Sequence, residues 1–216
     1  GHGETSNPPS APNLRLFSQQ ILELINYAEI EVTAVVGFSI GGMIARRFAY
    51  EHPTRLSALA ILNSSHDRTD YENKAVQIRA DQARERGPAA MVDAALNRWF
   101  TEEFKSKNPK TMELVKRWLE ANNPDIYPQI YRVLADGDTE LVDKIEKIKC
   151  PTLVMTGEED LGNSPDMAYR MAKVIPAARC IILPKLKHMA VIEDPDQFNG
   201  HLISFLIDSL STNSEN

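Results

Sequence analysis

Apolar positions along the chain follow two periods, that of amphipathic helices and that of short buried strands. Over residues 14–28 they recur at helical spacing, which predicts a helix of about 14 residues. The β-branched run "VTAVVG" that ends at Gly37 predicts a buried strand. Residues 40–51 return to helical spacing and stop before Pro53, and "LSALAILN" at 56–63 predicts a second buried strand.

The pattern changes in the middle of the chain. From residue 66 to about 147 no strand is predicted, only charged helical stretches broken at Gly87-Pro88, Pro109, Pro124 and Gly137. Strand and helix then alternate again, as "PTLVMTG" (strand), residues 165–174 (helix), "RCIILP" (strand) and residues 195–210 (helix).

This alternation predicts the α/β class, with a parallel sheet covered by helices on both faces. The helical stretch reads as a cap inserted over one edge of that sheet. We therefore predict three segments: an N-terminal part of the core at residues 1–65, a helical cap at 66–147 and a C-terminal part of the core at 148–216.

Two glycines flank a serine where the first strand gives way to a helix, in "GFSIG" at residues 37–41. A serine at such an abrupt turn has a strained backbone that pushes its hydroxyl out above the sheet, and the glycines leave room for neighbouring backbone. The positive end of the following helix is directed at it, and the Ile40 N–H can donate to a developing oxyanion. Ser39 is therefore the predicted nucleophile.

A serine nucleophile needs a base and a carboxylate that orients the base. His188 lies in "PKLKHMAVIEDP", between the last strand and the last helix, and loops after parallel strands gather on the side of the sheet where Ser39 sits. Asp160 lies in another such loop, at the end of "PTLVMTGEED", and is the predicted acid. The alternative acid is Asp67, which follows the "LAILN" strand. The chain order is then Ser39, Asp160, His188.

Bulky aromatic side chains are candidates for a substrate pocket, although at helical spacing such residues more often serve core packing. They are Phe38, Trp99, Phe100, Trp118 and Tyr127. Arg46 and Arg47 lie on the helix that follows the turn at Ser39, which we call the elbow. We expect both side chains to be solvated or to form ion pairs. The alternative is that one of them binds a carboxylate of the substrate.

Composition excludes several classes of protein. The net charge of −6 over 216 residues argues against nucleic-acid or anionic-membrane partners, which require a basic face. No apolar run approaches the roughly 20 residues of a membrane span, and no signal-peptide pattern opens the chain. Two cysteines do not make a disulfide scaffold. We expect a cytoplasmic protein that uses no cofactor and no metal.

Four stretches together resemble the α/β-hydrolase superfamily over nearly the whole chain. "VVGFSIGGMIARRFAYEHPTRLSALAILNSS" is similar to its elbow, helix and sixth strand, "IKCPTLVMTGEEDLGNSP" to its seventh strand and acid loop, and "LKHMAVIEDPDQF" to its histidine loop. "GHGETSNPP" is similar to the loop after its fourth strand, with Thr5 where serine is usual. Within the superfamily, "ALNRWFTEEF" and "IKCPTLV" look most like the 3-oxoadipate enol-lactonase and esterase group.

The resemblance implies that strands one to four of an eight-stranded sheet, with a second oxyanion donor, belong upstream of residue 1. The elbow strand would then be an unprotected edge. On this expectation, residues 1–216 alone do not form a stable active monomer, and either a complementing or swapped N-terminal segment or a second copy of the chain covers the edge.

The activity that the residues and the resemblance imply is acyl transfer. We expect a serine hydrolase that cleaves a small carboxylic ester or lactone through an acyl-enzyme, of the EC 3.1.1 type. The alternatives are a C–C bond hydrolase or a cofactor-free perhydrolase with the same triad, and a non-catalytic receptor with this fold.

Overall fold

The computed structural model describes residues 2–213 of the chain. Its single described sheet has four parallel strands in the order β1-β2-β3-β4. The strands are Thr33–Phe38 (β1), Leu56–Leu62 (β2), Thr152–Gly157 (β3) and Ala178–Leu183 (β4). Each matches one predicted strand to within a few residues, so the predicted parallel α/β sheet is confirmed.

Helices connect the strands. They are Leu14–Tyr27 (α1), Ile40–Glu51 (α2), Asp70–Arg86 (α3), Val92–Trp99 (α4), Glu102–Lys107 (α5), Pro109–Glu120 (α6), Tyr127–Leu141 (α7), Pro165–Val174 (α8), Ala190–Glu193 (α9) and Pro195–Asn213 (α10). Helices α3 to α7 stand between β2 and β3, within the stretch where the sequence predicts only helices.

Helices pack on both faces of the sheet, and its two central strands, β2 and β3, are almost fully buried. The outer strands β1 and β4 are mostly half-buried, so the prediction of a buried strand is wrong for most of β1. Strand β2 divides its side chains between the two faces. Leu59 and Ile61 pack with residues of α2 and α8 on one face. Ala58, Ala60 and Leu62 pack with Phe198 and Phe205 of α10 on the other.

Strand β1 forms one edge of the sheet within the described residues. It pairs with β2 on one side, and Val36 on it is 45% exposed. The elbow strand was predicted to be such an edge, and the strand order bears this out for residues 2–213.

One predicted break is wrong. Gly137 lies inside α7 rather than at a helix end. A Cβ at this position would stand 2.8 Å from Cδ1 of Leu14, the first residue of α1. The glycine therefore serves close packing between α1 and α7, a tertiary cause that local sequence does not reveal.

The helices between β2 and β3 are fastened to the loop that carries His188. The backbone N–H of Met189 donates to the carbonyl oxygen of Trp99, at the end of α4, over 2.9 Å. Both the backbone N–H and the hydroxyl of Thr101 donate to Oε1 of Glu193, each over 2.7 Å. These bonds fix α4 and α5 next to the carboxyl ends of the strands.

Nothing among residues 2–213 resembles a membrane span, since none of the helices there combines the necessary length and apolarity.

Candidate active site

Ser39 occupies a strained turn between β1 and α2. Its φ of +55° and ψ of −119° lie outside the regions that most non-glycine residues adopt. The backbone N–H of Ser39 donates to the Leu62 carbonyl over 2.9 Å, which holds the turn at the carboxyl end of the sheet. Ile40 begins α2, where the first N–H groups have no partner within a helix.

Of the two glycines that flank Ser39, only Gly37 is required by close approach, because a Cβ there would stand 2.2 Å from the carbonyl oxygen of Gly41. A Cβ on Gly41 would meet no described atom within 4 Å, so the expectation that this glycine leaves room for neighbouring backbone is wrong. The next residue, Gly42, does need the space, since a Cβ there would stand 2.5 Å from Cβ of Ser64. No side chain fits at either distance without moving backbone or a neighbouring residue. The sequence prediction of a sharp strand-to-helix turn at this serine is therefore matched by its geometry.

His188 and Asp160 form a buried pair. Nδ1 of His188 lies 2.8 Å from Oδ2 of Asp160, and the two side chains are 8% and 2% exposed. The other carboxylate oxygen, Oδ1, accepts from the backbone N–H groups of Gly162 and Asn163, each over 3.1 Å. A carboxylate held in this way fixes the orientation of the imidazole and favours the tautomer with its proton on Nδ1.

Asn63 is a contributor that sequence reasoning missed. It follows β2 directly, has a φ of +47° and is fully buried. Its Nδ2 donates to Oδ2 of Asp160 over 3.0 Å, and this oxygen also lies within hydrogen-bond distance of Nδ1 of His188 and, at 3.4 Å, of Nδ2 of Asn163. The signal in the sequence is an asparagine at the end of a buried strand, a residue type that tolerates this backbone conformation.

Asp67, the alternative acid, points elsewhere. Its side chain is 53% exposed and lies 3.6 Å from Nε of Arg170 on α8. The carboxylate beside His188 is that of Asp160.

The three predicted residues line one cavity of about 90 Å³. Its walls are Ser39, Arg68, Val76, Arg79, Arg98, Trp99, Tyr131, Leu134, Asp160, Gly162, Asn163 and His188. The arrangement joins a strained serine, an imidazole and a buried carboxylate at the carboxyl ends of β1, β3 and β4. These are the groups that nucleophilic acyl transfer uses.

The structure separates the aromatic pocket candidates. The rings of Phe38 and Trp99 lie 5.1 Å and 6.1 Å from the ring of His188, and Trp99 lines the cavity. Trp118 is 56% exposed on α6, and Phe100 is fully buried against Phe104; neither is among the residues that line the cavity. Tyr127 is outside the cavity lining and packs instead against Tyr131, and its burial raises its pKa to about 12.

The two arginines behind the elbow differ. Arg47 is paired, with Glu51 at 2.9 Å and Glu140 at 2.8 Å. Arg46 is fully buried rather than solvated, and it donates to the Ser65 carbonyl over 2.6 Å. The guanidinium therefore braces the loop after β2.

His66 in that loop is buried beside Arg46. Burial, reinforced by the positive charge of Arg46, lowers its pKa from 6.5 to about 4. Nη1 of Arg46 lies 3.5 Å from Nδ1 of His66, a contact that suits a neutral imidazole with its lone pair on Nδ1. This histidine is a packed, neutral group.

The low pKa of His66 predicts a pH-dependent stability. Because the unfolded chain binds this proton at a higher pH than the folded protein, the contribution destabilises the fold as pH falls from about 6.5 to 4. Between about pH 7 and pH 5 the free energy of unfolding should fall by about 2 kcal/mol from this group. Urea unfolding of His66→Gln should lack this part of the pH dependence, whereas His201→Gln, at an exposed position on α10, should retain it. Equal pH dependence in the wild type and His66→Gln would contradict the assignment.

The sequence profile of the alpha/beta hydrolase family matches residues 1–201. The fold and the match agree, and the chain belongs to this family.

Among characterised relatives, the (E)-2-((N-methylformamido)methylene)succinate hydrolase of Acinetobacter baylyi is 29% identical over 206 residues, covering 95% of this chain and 77% of that protein. The 3-oxoadipate enol-lactonase 2 of the same organism is 25% identical, covering 92% of this chain and 73% of that protein. The crystal structure of the enol-lactonase from Burkholderia xenovorans superposes with a TM-score of 0.87 at 26% identity, over 95% of this chain and 77% of that one. The chain is thus similar to hydrolases of this family over about three quarters of their length.

Proposed function

We propose that the protein is a serine hydrolase that cleaves a carboxylic ester or lactone through an acyl-enzyme. The observation that carries the proposal is the convergence of strained Ser39 and the buried Asp160–His188 pair on one cavity. The similarity to an enol-lactonase supports a lactone or ester as the class of bond.

In the proposed mechanism, Oγ of Ser39 attacks the substrate carbonyl carbon and His188 accepts the hydroxyl proton through Nε2. Asp160 holds Nδ1 and stabilises the imidazolium that forms. The Ile40 N–H, at the positive end of α2, donates to the oxyanion of the tetrahedral intermediate.

The same groups complete the formation of the acyl-enzyme and then its hydrolysis. His188 gives its proton to the leaving alkoxide oxygen, which departs as the alcohol, or stays attached to the acyl group if the substrate is a lactone. His188 then takes a proton from water, and the hydroxide attacks the carbonyl carbon of the acyl-enzyme. The bond between this carbon and Oγ of Ser39 breaks, His188 returns the proton to Oγ, and the acid is released.

A fluorophosphonate probe tests the nucleophile without knowledge of the substrate. We expect one equivalent of probe to attach to the purified protein, and peptide mass spectrometry to place it on Ser39. Ser39→Ala should not be labelled, whereas Ser106→Ala, at an exposed serine on α5, should be labelled like the wild type. Labelling elsewhere, or none in the folded protein, would overturn the proposal.

A further inference from the structure

Three arginines line the cavity that contains Ser39, and none of them was singled out in the sequence. Arg68 comes from the loop after β2, Arg79 from α3 and Arg98 from α4. They lie on separate segments that the fold brings together, and all three are partly buried.

Neutral groups hold these three side chains in place. Nη1 of Arg68 donates to the Leu134 carbonyl over 3.1 Å, Nε of Arg79 to the hydroxyl of Tyr131 over 3.2 Å, and Nη1 of Arg98 to a helix carbonyl over 2.8 Å. A guanidinium has five N–H donors, and these contacts use only part of them. These contacts therefore hold the three side chains in position and leave further N–H donors of each guanidinium for a ligand.

The positive charges are not neutralised by ion pairs. Over residues 2–213, the three guanidinium groups have no carboxylate within 4.0 Å. Other arginines of the chain do form ion pairs, since Arg47 pairs with Glu51 and Arg132 with Asp81.

Three acidic groups interact with the cluster, namely Asp160, Asp138 and Glu72, and each accepts hydrogen bonds from groups other than the three guanidiniums. Asp160 lines the cavity but binds His188, Asn63 and two backbone N–H groups. Asp138 accepts the backbone N–H of Arg68 over 2.8 Å. The cavity lining itself contains three guanidinium groups and one carboxylate, that of Asp160, and therefore has a surplus of positive charge.

Burying three positive charges close together without a bound anion costs free energy. Burial lowers the pKa of Arg68 and of Arg98, and the charge of Arg79 lowers both further. The protein as a whole is acidic, with a net charge of −6, so the cluster does not follow from general basicity. Arginine binds carboxylates with short, charge-assisted hydrogen bonds, which compensate desolvation of this kind.

We propose that Arg68, Arg79 and Arg98 form a subsite that binds a carboxylate of the substrate while Ser39 attacks its ester or lactone carbonyl. The inference rests on the proposed function and narrows it to hydrolysis of an acid that carries a second, uncleaved carboxylate. The small cavity places this group close to the scissile bond, which favours short acids.

Paired substrates that differ in one charge test the subsite. The p-nitrophenyl monoester of glutaric acid and p-nitrophenyl pentanoate have acyl chains of equal length, and p-carboxyphenyl and p-carbamoylphenyl pentanoate place the charge on the alcohol side. We expect the wild type to prefer the anionic member of at least one pair by on the order of 10-fold or more in kcat/KM. No preference in either pair overturns the proposal.

Variants attribute the preference to the arginines. Arg79→Met and Arg98→Met should each lower kcat/KM for the preferred anionic ester about 10- to 100-fold and change the neutral ester by less than about threefold. Arg84→Met, at an exposed position on the same helix as Arg79, should leave both rates unchanged. Equal loss on both esters would show a structural role and refute the subsite.

The outcomes separate this inference from the proposed function. Fluorophosphonate labelling of Ser39 with turnover of neutral esters, but without charge preference, refutes the subsite and leaves the hydrolase in place. Absence of labelling refutes the proposed mechanism. In that case glutarate binding by calorimetry, compared between wild type and Arg79→Met, still decides whether the arginines bind a carboxylate.

Discussion

Replacing Ser39 with alanine is expected to lower the turnover of p-nitrophenyl acetate by on the order of 10⁴-fold or more. Alanine removes the only atom of this side chain that can form the acyl-enzyme, and the remaining oxyanion donor and binding contacts supply little of the rate. Steady-state release of p-nitrophenol at saturating ester measures the loss.

The variant must keep its fold for the comparison to be informative. Alanine at this strained backbone position removes one hydroxyl and leaves the elbow glycines in place, so circular dichroism and the urea midpoint should stay close to those of the wild type. Ser106→Ala supplies a matched loss of a hydroxyl at an exposed position. Turnover within about tenfold of the wild type in folded Ser39→Ala would remove the serine from the mechanism.

The sequence predicted the sheet well because its strands are continuous apolar runs closed by glycine, proline or asparagine. Strands buried on both faces leave this signal irrespective of their neighbours. Gly137 was misread for the opposite reason. Its role is contact with Leu14, which is remote in sequence, and a glycine inside a helix looks locally like a break.

The predicted site residues converge because topology alone determines where they lie. Loops that follow parallel strands reach the same edge of the sheet, so Asp160 and His188 can be placed without knowing any side-chain contact. Topology alone does not identify Asn63 or the three cavity arginines as site residues. Their contributions depend on hydrogen bonds and on missing ion pairs, and neither is visible in spacing.

The aromatic candidates show where sequence reasoning stops. Trp99 and Trp118 both stand on helices between β2 and β3, yet only Trp99 reaches the cavity. The difference arises because α4 is tied to the histidine loop through Met189, whereas Trp118 lies on an exposed part of α6. Helical spacing predicts which face of a helix is apolar, but it does not predict which part of the protein packs against that face.

Asp160→Asn is expected to lower turnover of the same ester by about 10³- to 10⁴-fold, while Asp67→Asn changes it by less than about threefold. The carboxylate of Asp160 accepts hydrogen bonds at both oxygens, from His188 and Asn63 at Oδ2 and from two backbone N–H groups at Oδ1.

An asparagine amide cannot reproduce this pattern. Whichever way it is turned, its NH₂ group faces donors, either Asn63 and the Nδ1–H of His188 or the backbone N–H groups. The contact between the amide NH₂ group and His188 becomes favourable only if the imidazole proton moves from Nδ1 to Nε2, so that Nδ1 accepts. An imidazole with its proton on Nε2 cannot accept the proton of Ser39. Asp67 has no such position, since its exposed carboxylate faces Arg170. Measured kcat values for the two variants, each confirmed as folded, decide between the acids, and a greater loss in Asp67→Asn would transfer the orienting function to the loop after β2.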